Sequence, residues 1–266
     1  MVWNPTVVLG GANSFDAVLC TVDDGVAVVS VNRAEKGNSL SLSVFRELNT
    51  LLSRLHNEAT IRAVVITGAG DRAFSAGADI NELDGLEGAA AYEFSATGQY
   101  VFDQLEDLPK PVIAAINGAA LGGGLELALS CDIRIAASTA RFGQPEITLA
   151  NTPGWGGTQR LPHVIGGGRA MAMMLTGIAI DAETALDYGL ITEIVVPERL
   201  RERALELARE LGAKSTHAVH AIKEAVHVGR AGGNEAGMRA ERLGVAACSG
   251  TVEQVAAVRA FLNRGK

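Results

Sequence analysis

The chain has 266 residues, of which 48% are hydrophobic and 20% are charged, and its formal net charge at pH 7 is −7. This length and apolar content supply enough core material for one large α/β domain or for a domain with an appendage. The negative charge argues against non-specific binding of nucleic acids, which requires a basic surface.

Strand patterns dominate the beginning of the chain. Residues 1–14 are expected to form an N-terminal lead-in. Residues 15–22 and 26–31 are predicted strands on either side of an Asp-Gly turn, which is a preferred connection in tight hairpins. Apolar residues spaced by three or four between Leu42 and Leu55 then predict a helix with one buried face.

Two apolar runs, at residues 61–67 and 111–117, predict buried strands of the kind found in parallel sheets. Residues 131–136 are predicted to form a further strand. A helical segment is expected somewhere within residues 80–108. Residues 142–160 are rich in turn-forming types and are expected to form a loop that builds a site.

From Pro197 onward, nearly every residue follows a helical period. Strands that alternate with helices, followed by helices alone, indicate an α/β core over residues 15–197 and a helical C-terminal region over residues 198–266. Four helices are predicted in that region, at residues 198–212, 215–229, 233–248 and 252–263.

The three cysteines are Cys20, Cys131 and Cys248, and they lie outside any Cys-x-x-Cys pattern. Buried free thiols in a reducing compartment are therefore favoured over disulfides or a zinc site. No apolar run is long enough to span a bilayer, and the first basic residue is Arg33, which disfavours a secretory or transit signal. A soluble, cytoplasmic protein is expected.

Three local patterns resemble functional motifs, but the surrounding sequence disfavours a functional role for each of them. G-A-G-D-R-A at residues 68–73 matches a dinucleotide-binding turn after a strand, but no helix follows it, so an ordinary turn is predicted. Ser75 lacks a G-x-S-x-G context and a neighbouring histidine, which disfavours a serine hydrolase. His217 and His220 share one predicted helix without an evident third metal ligand, so ordinary surface or core histidines are favoured.

The stretch A-L-G-G-G-L-E-L-A, at residues 120–128, predicts a helix with an unusual beginning. Its glycines and the helix start would leave backbone N–H groups available to an anion or to a developing negative oxygen. A tight strand-to-helix turn would need small residues too. A second glycine run at residues 166–168 shows that glycines alone do not decide between these interpretations.

Two glutamates stand in apolar surroundings, Glu126 in the stretch above and Glu146 in Q-P-E-I. Burial would raise the pKa of such a carboxyl toward the range that is useful for proton transfer. Glu126 could instead stabilise the helix N-terminus or pair with a cation. If the two carboxyls met near one reacting carbon, they could act as general base and general acid.

Three motifs in a fixed order carry a resemblance to a known family. They are A-F-S-A-G-A-D-I (73–80), N-G-A-A-L-G-G-G-L-E-L-A-L-S-C-D-I (117–133) and F-G-Q-P-E-I-T-L-A-N-T-P-G-W-G-G-T-Q-R-L (142–161). They strongly resemble the crotonase superfamily and, within it, the enoyl-CoA hydratases. N-R-A-E-K-G-N-S-L (32–40) and R-A-F-L-N-R (259–264) resemble the family's CoA-side segment and its C-terminal helix, so the resemblance covers residues 15–266.

The resemblance implies a fold and a set of catalytic groups. The fold would be a spiral of ββα units with a C-terminal helical trimerisation region, assembled as a homotrimer or as a dimer of trimers. The N–H groups of Ala78 and Gly123 would form an oxyanion hole for the thioester carbonyl of an acyl-CoA. Glu126 and Glu146 match the two catalytic glutamates of hydratases, and the backbone of Gly154 would help to hold the water.

Substrate binding is also implied by the resemblance. Ala76, Asp79 and Ile80, together with Ala78, lie in the segment that would clasp the pantetheine arm. The implied reaction is a reversible syn addition of water across the 2,3 double bond of a 2-enoyl-CoA, which gives a 3-hydroxyacyl-CoA. This chemistry implies no metal and no cofactor, because coenzyme A is part of the substrate. The net charge and the lack of a long apolar run lead us to expect no nucleic-acid and no membrane partner.

The sequence departs from the family pattern at a few positions. Trp155 stands where a small residue is usual, residues 150–152 replace a stretch that more often begins with glycine, and the extension after Phe261 is short. The indole would either reshape the acyl pocket toward a cyclic or unusual substrate or simply pack in the core. Alternative functions are an enoyl-CoA isomerase, a specialised dehydratase, or an RNA-binding relative, and the two glutamates favour the hydratase.

Overall fold

Two β-sheets lie at the centre of the fold, which a computed structural model describes for residues 15–263. The lead-in predicted for residues 1–14, and residues 264–266, lie outside this range. The strands in chain order are β1 (Val18–Asp23), β2 (Val26–Val31), β3 (Ala63–Gly68), β4 (Ala73–Ser75), β5 (Val112–Ile116), β6 (Ala119–Leu121), β7 (Ile133–Ala137), β8 (Arg141–Gly143), β9 (Ile180–Asp181) and β10 (Glu193–Val195).

Helices cover the sheets and make up the C-terminal part. In chain order they are α1 (Leu42–Asn57), α2 (Gly88–Glu106), α3 (Gly123–Leu129), α4 (Gly157–Ile165), α5 (Gly167–Thr176), α6 (Ala182–Asp187), α7 (Leu200–Gly212), α8 (Thr216–Gly232), α9 (Asn234–Cys248) and α10 (Val252–Asn263). Short 3-10 helices follow some strands, and the one at Glu146–Leu149 belongs to the site described below.

The strand order shows how the chain builds repeated units. The larger sheet has the order β1-β2-β3-β5-β7-β10, and the smaller sheet has the order β4-β6-β8-β9. Neighbouring strands are parallel except in the β1–β2 hairpin and the β8–β9 pair. The successions β1-β2-α1, β3-β4-α2 and β5-β6-α3 are ββα units, as the resemblance implied. In the second and third units, one strand joins each sheet.

The local predictions for the first strands are confirmed. Asp24 and Gly25 connect β1 to β2 with φ angles of 47° and 75°, which is the geometry that favours Asp-Gly in a two-residue hairpin. Every residue of β2, β3 and β5 is buried, as expected of strands that are covered on both faces.

Helix α7 covers the outer face of the larger sheet. Leu200, Ala204 and Ala208 of α7 are buried against a cluster that includes Val65 and Ile113 of the sheet. The sequence assigned α7 to the C-terminal helical region, but its packing joins it to the α/β core. The helices without a buried residue begin with α8 and continue through α9 and α10.

The sequence pattern did not predict several short strands and helices. The structure adds strands β4, β6, β8, β9 and β10 and helices α4, α5 and α6, which are too short or too interrupted by glycine and proline to show a clear period, and α4 begins within the segment expected to be a loop. The strand predicted at 131–136 begins later, at Ile133, because Cys131 belongs to the turn after α3. The glycine run at 166–168 separates α4 from α5, and Gly166 has a φ of 83°.

Two of the three cysteines lie in the core. Cys20 and Cys131 are buried free thiols, and burial raises the pKa of Cys20 to about 12 and also raises the pKa of Cys131.

Within residues 15–263, no group of three or more His, Cys, Asp or Glu side chains could hold a metal ion. His220 lies 3.9 Å from Glu224 on α8. In the same part of the chain, no helix combines the length and the hydropathy needed to cross a membrane.

Candidate active site

A cavity of about 410 Å³ opens beside the N-terminus of α3. Its walls come from the 76–80 segment, from α2 and the residues before it, and from the 3-10 helix at Glu146–Leu149. The structure therefore brings together residues from all three motifs. The predicted site residues that line this cavity are Ala76, Ala78, Ile80, Gly123, Glu126, Glu146, Gly154 and Trp155.

The remaining predicted residue, Asp79, braces the cavity wall. Its Oδ2 lies 2.7 Å from Nη2 of Arg33, and its Oδ1 accepts a hydrogen bond from the Asn81 N–H. The hydrogen bond from Arg33 is the main reason that the pKa of Asp79 lies below its ordinary value. Arg33 also donates to the Ser39 carbonyl, so this ion pair joins the 76–80 segment to the 33–40 segment.

Main-chain pairing orients the peptide of Ala78. The Leu40 N–H donates to the Gly77 carbonyl at 2.7 Å, and the Asp79 N–H donates to the Leu40 carbonyl at 2.9 Å. In such a parallel pairing the groups of the intervening residue point away from the partner strand. The Ala78 N–H therefore points away from Leu40, and it has no acceptor among residues 15–263.

The turn between β6 and α3 presents a second peptide donor. Gly122 has φ 52° and ψ −125°, a conformation that favours glycine, and its carbonyl accepts from the N–H groups of Leu125 and Glu126. A Cβ at position 122 would also lie 2.8 Å from Oε1 of Glu146. The Gly123 N–H has no acceptor within the described chain, so two unpaired peptide donors face one cavity.

Glu126 is buried in α3, with an exposed fraction of 1%. Its Oε1 accepts hydrogen bonds from the N–H groups of Trp155, at 2.8 Å, and Gly157, at 2.6 Å. Burial raises the pKa of Glu126 to about 7, and the nearby Glu146 carboxylate contributes to the rise, while both peptide hydrogen bonds and Arg160 oppose it. At neutral pH this carboxyl is therefore poised to give up or to accept a proton.

Glu146 lines the same cavity and occupies the first position of its 3-10 helix. Burial raises the pKa of this carboxyl too. The fully buried Gln144 satisfies its neighbours when its amide nitrogen donates to Oε1 and Oε2 of Glu146, at 3.0 and 3.1 Å, and to the Gly122 carbonyl, at 3.3 Å. Gln144 had no role in the sequence-based interpretation, although it belongs to the same motif as Glu146.

The Trp155 indole both packs in the core and lines the cavity. Its ring centroid lies 4.8 Å from that of Phe45 and 6.0 Å from that of Phe102, both in edge-to-face geometry. Phe94 of α2 lies on a further side, at 5.4 Å, and lines the cavity as well. The indole therefore packs in the core and also contributes to the cavity wall, while its effect on the choice of substrate stays a prediction.

Gly154 is held by helix α2. Its carbonyl accepts hydrogen bonds from Ser95 Oγ, at 2.5 Å, and from Gln99 Nε2, at 2.9 Å. In the part of the chain that the structure covers, its N–H has no acceptor. This N–H is therefore available to a small polar molecule in the cavity.

Arg160 supports the loop that holds Glu126, and the sequence-based interpretation missed it. This buried guanidinium donates to the Trp155 carbonyl at 2.9 Å and forms an ion pair with Glu106 of α2 at 3.0 Å. Glu106 also accepts from Arg230 of α8, so one charge network joins α2, α4 and α8. The only local signal for Arg160 was its place in the third motif.

We expect Arg160→Gln to raise the pKa of Glu126 further, because the cation that opposes its protonation is removed. Carbon-13 NMR titration of the Glu126 carboxyl measures this directly. Arg160→Lys keeps the charge and serves as the control, and it should leave the pKa of Glu126 lower than Arg160→Gln does. Breaking the buried ion pair should also lower the free energy of unfolding by about 3–5 kcal/mol. Equal pKa values in the two variants would contradict the electrostatic role.

Comparison with known proteins agrees with this architecture. The model of the protein family described as enoyl-CoA hydratase/isomerase matches residues 21–266 of this chain. The chain is 40% identical to a short-chain-enoyl-CoA hydratase of Clostridium acetobutylicum, over 94% of this chain and 95% of that protein. It is 38% identical to a crotonyl-CoA hydratase of Syntrophomonas wolfei, over 95% and 97% of the two chains.

The solved structures lead to the same family. An enoyl-CoA hydratase from Bacillus anthracis superposes with a TM-score of 0.88 at 39% sequence identity, and the match covers 93% of this chain and 96% of that one. The relatives at this level of identity, the match to the family model and the shared fold together show that the chain belongs to the enoyl-CoA hydratase/isomerase family, within the crotonase superfamily.

Proposed function

We propose that the protein is an enoyl-CoA hydratase that adds water reversibly across the 2,3 double bond of a 2-enoyl-CoA. One observation carries the proposal: two carboxyls with raised pKa values share a cavity with two unpaired peptide N–H groups. The named relatives support it, because two of them are described as hydratases of short-chain or crotonyl thioesters.

The peptide donors suit the charge that develops during hydration. Attack of water at C3 of a conjugated thioester moves electron density onto the carbonyl oxygen, as in an enolate. In the proposal, the N–H groups of Ala78 and Gly123 donate hydrogen bonds to this oxygen. Each preorganised donor of this kind contributes about 3–4 kcal/mol to stabilisation of the transition state.

The glutamates suit the two proton transfers. One carboxylate takes a proton from the water that attacks C3, and the other carboxyl delivers a proton to C2. The roles exchange in the reverse dehydration, because the proton that was delivered must then be removed. Such proton transfers contribute roughly 10²–10⁴-fold to the rate. In this scheme the Gly154 N–H helps to hold the water, and Gln144 keeps Glu146 in place.

Substrate binding completes the proposal. Ala76 and Ile80 line the cavity beside Ala78, so the pantetheine arm would run along this segment, which Asp79 and Arg33 hold in place. The reaction as proposed requires no metal ion and no redox cofactor. Peptide N–H groups stabilise the negative charge that develops on the carbonyl oxygen, and the two carboxyls transfer the protons. Coenzyme A enters as part of the substrate.

Crotonyl-CoA tests the reaction class. We expect the absorbance of the conjugated enoyl thioester to fall on addition of protein, and the product mass to increase by that of one water. A 3-enoyl-CoA serves as the matched substrate for an isomerase, since its conversion to a 2-enoyl-CoA leaves the mass unchanged. Turnover of the 3-enoyl-CoA without hydration of 2-enoyl-CoAs of any chain length would contradict the hydratase assignment.

We also propose that the chain forms a homotrimer or a dimer of trimers and acts in the cytoplasm in fatty-acid oxidation. Support for assembly comes from the helices α8, α9 and α10, which have no buried residue yet carry exposed apolar side chains such as Ile222, Leu243 and Phe261. Apolar surface of this kind favours a protein partner. Sedimentation equilibrium gives the mass of the assembly and would contradict the proposal by returning a monomer.

A further inference from the structure

The Trp155 indole forms a wall of the cavity immediately beside Glu126. The peptide N–H of the same residue donates to Oε1 of Glu126 at 2.8 Å, so the backbone that carries the ring is held next to that carboxyl. The indole is 4% exposed, and the surface that it keeps faces the cavity. Any change in its size would therefore change the cavity next to the proposed reacting atoms.

Two glycines on different helices make room for this ring. A Cβ at Gly98 of α2 would lie 2.3 Å from Cδ1 of Trp155, and a Cβ at Gly123 of α3 would lie 2.1 Å from Cζ3. Both distances are far below an ordinary contact between carbon atoms. The indole thus fills the whole space between α2 and α3, with no room for even a methyl group on either side.

The aromatic cluster behind the indole keeps it in place. Phe45 and Phe102 are fully buried, and their rings meet the indole edge to face at centroid distances of 4.8 and 6.0 Å. Close-packed interiors of this kind do not yield without strain. Rotation of the indole away from the cavity would require these rings to move, so the wall is rigid.

We propose that this wall ends the acyl pocket and restricts the protein to short-chain 2-enoyl thioesters, an inference that rests on the proposed function. With the carbonyl oxygen at the Gly123 N–H and C2 and C3 beside Glu126, the carbons beyond C3 meet the indole that lies against Gly123. A methyl group at C3 fits in front of such a wall, whereas a long chain collides with it.

Binding of saturated acyl-CoAs tests the inference without requiring turnover. The probes are butyryl-, hexanoyl-, octanoyl- and decanoyl-CoA, with dissociation constants measured by calorimetry for the wild type and for Trp155→Ala. We expect the wild type to lose affinity as the chain lengthens. In Trp155→Ala, the affinity for octanoyl-CoA relative to butyryl-CoA should rise by about 10-fold or more, because the space toward Phe45 and Phe102 becomes available.

Two further variants distinguish the effect of the size of the residue 155 side chain from the effect of the aromatic cluster behind it. Trp155→Phe keeps an aromatic ring against Phe45 but is smaller, so it should shift the chain-length ratio in the same direction to a lesser extent. It also carries the test if Trp155→Ala does not fold. Phe102→Leu keeps the indole but leaves space behind it, so the ring can recede slightly and the chain-length ratio should shift by less than in either Trp155 variant.

The outcomes distinguish this inference from the proposed function. An unchanged chain-length ratio in both folded Trp155 variants would overturn the inference, as would a wild type that binds decanoyl-CoA as tightly as butyryl-CoA. The latter result would mean that the chain leaves the cavity by another route, past Leu83 and Leu86. Hydration of crotonyl-CoA by the wild type decides the proposed function separately.

Discussion

Glu126→Gln and Glu146→Gln are each expected to lower kcat for hydration of crotonyl-CoA by about 10²–10⁴-fold. Glutamine has nearly the same shape as glutamate but can neither accept a proton from water nor deliver one. In Glu126→Gln, an amide oxygen in the place of Oε1 can still accept from the two peptide N–H groups, so the fold should remain intact. Initial rates with saturating substrate measure the effect, and Glu93→Gln on the exposed face of α2 is the matched control.

Stability measurements give a second signature of Glu126. The folded protein keeps a proton on this carboxyl up to a pH of about 7, whereas the unfolded chain releases it near its ordinary pKa of 4.5. The free energy of unfolding therefore falls as the pH rises through this window, by a total on the order of 3 kcal/mol.

Glu126→Gln removes this penalty. Relative to the wild type, the variant should gain stability between pH 4.5 and 7 and keep that advantage at higher pH. Urea unfolding at pH 5 and at pH 8 measures the difference. A variant that loses activity and also loses stability equally at both pH values would indicate a structural role for Glu126. Near-normal turnover in either glutamine variant would remove that glutamate from the proposed mechanism.

Gly123→Ala is expected to cause the second large loss. The new Cβ would lie 2.1 Å from Cζ3 and 2.4 Å from Cε3 of Trp155, so either the indole or the start of α3 must shift. Displacement of one oxyanion donor costs about 10²–10³-fold in kcat. Overpacking should in addition lower the free energy of unfolding by about 1–3 kcal/mol. Rates with crotonyl-CoA and urea midpoints measure the two effects.

A double variant shows whether the clash is the cause. Addition of Trp155→Ala to Gly123→Ala removes the obstructing ring, and a substantial part of the lost rate should return. Gly98→Ala is the matched control, because its Cβ would meet the same indole, at 2.3 Å from Cδ1, on a residue that carries no proposed donor. It should lose similar stability but less activity. A double variant that is no faster than Gly123→Ala would contradict the steric explanation.

The candidate site residues could be predicted from the sequence because they lie in motifs that resemble those of a known family. Glu126, Glu146, Ala78 and Gly123 all line one cavity, although they come from three separate stretches of the chain. Long apolar strands such as β3 and β5 could also be predicted, since burial on both faces leaves a continuous run. The roles of these residues in catalysis remain predictions until the variants are measured.

Residues that act through tertiary contacts could not be predicted. Arg160 becomes important only because folding places it between the Trp155 carbonyl and Glu106. Helix α2 was expected only somewhere within residues 80–108, because its apolar face is weakly patterned, yet Phe94 and Ser95 form part of the cavity wall. The spacing of residues along the chain does not encode which side chains from distant elements will meet.

The two unpaired N–H groups at Ala78 and Gly123 belong to the main chain, and this has a consequence for natural variation. No exchange of side chains can delete such a donor, except replacement by proline, which has no N–H. Harmful variants at these positions must therefore act through shape, as an added methyl group does at position 123. At Glu126, in contrast, the loss of one carboxyl changes the chemistry while the shape is kept. The same cavity thus combines positions that are sensitive to size with positions that are sensitive to chemical identity.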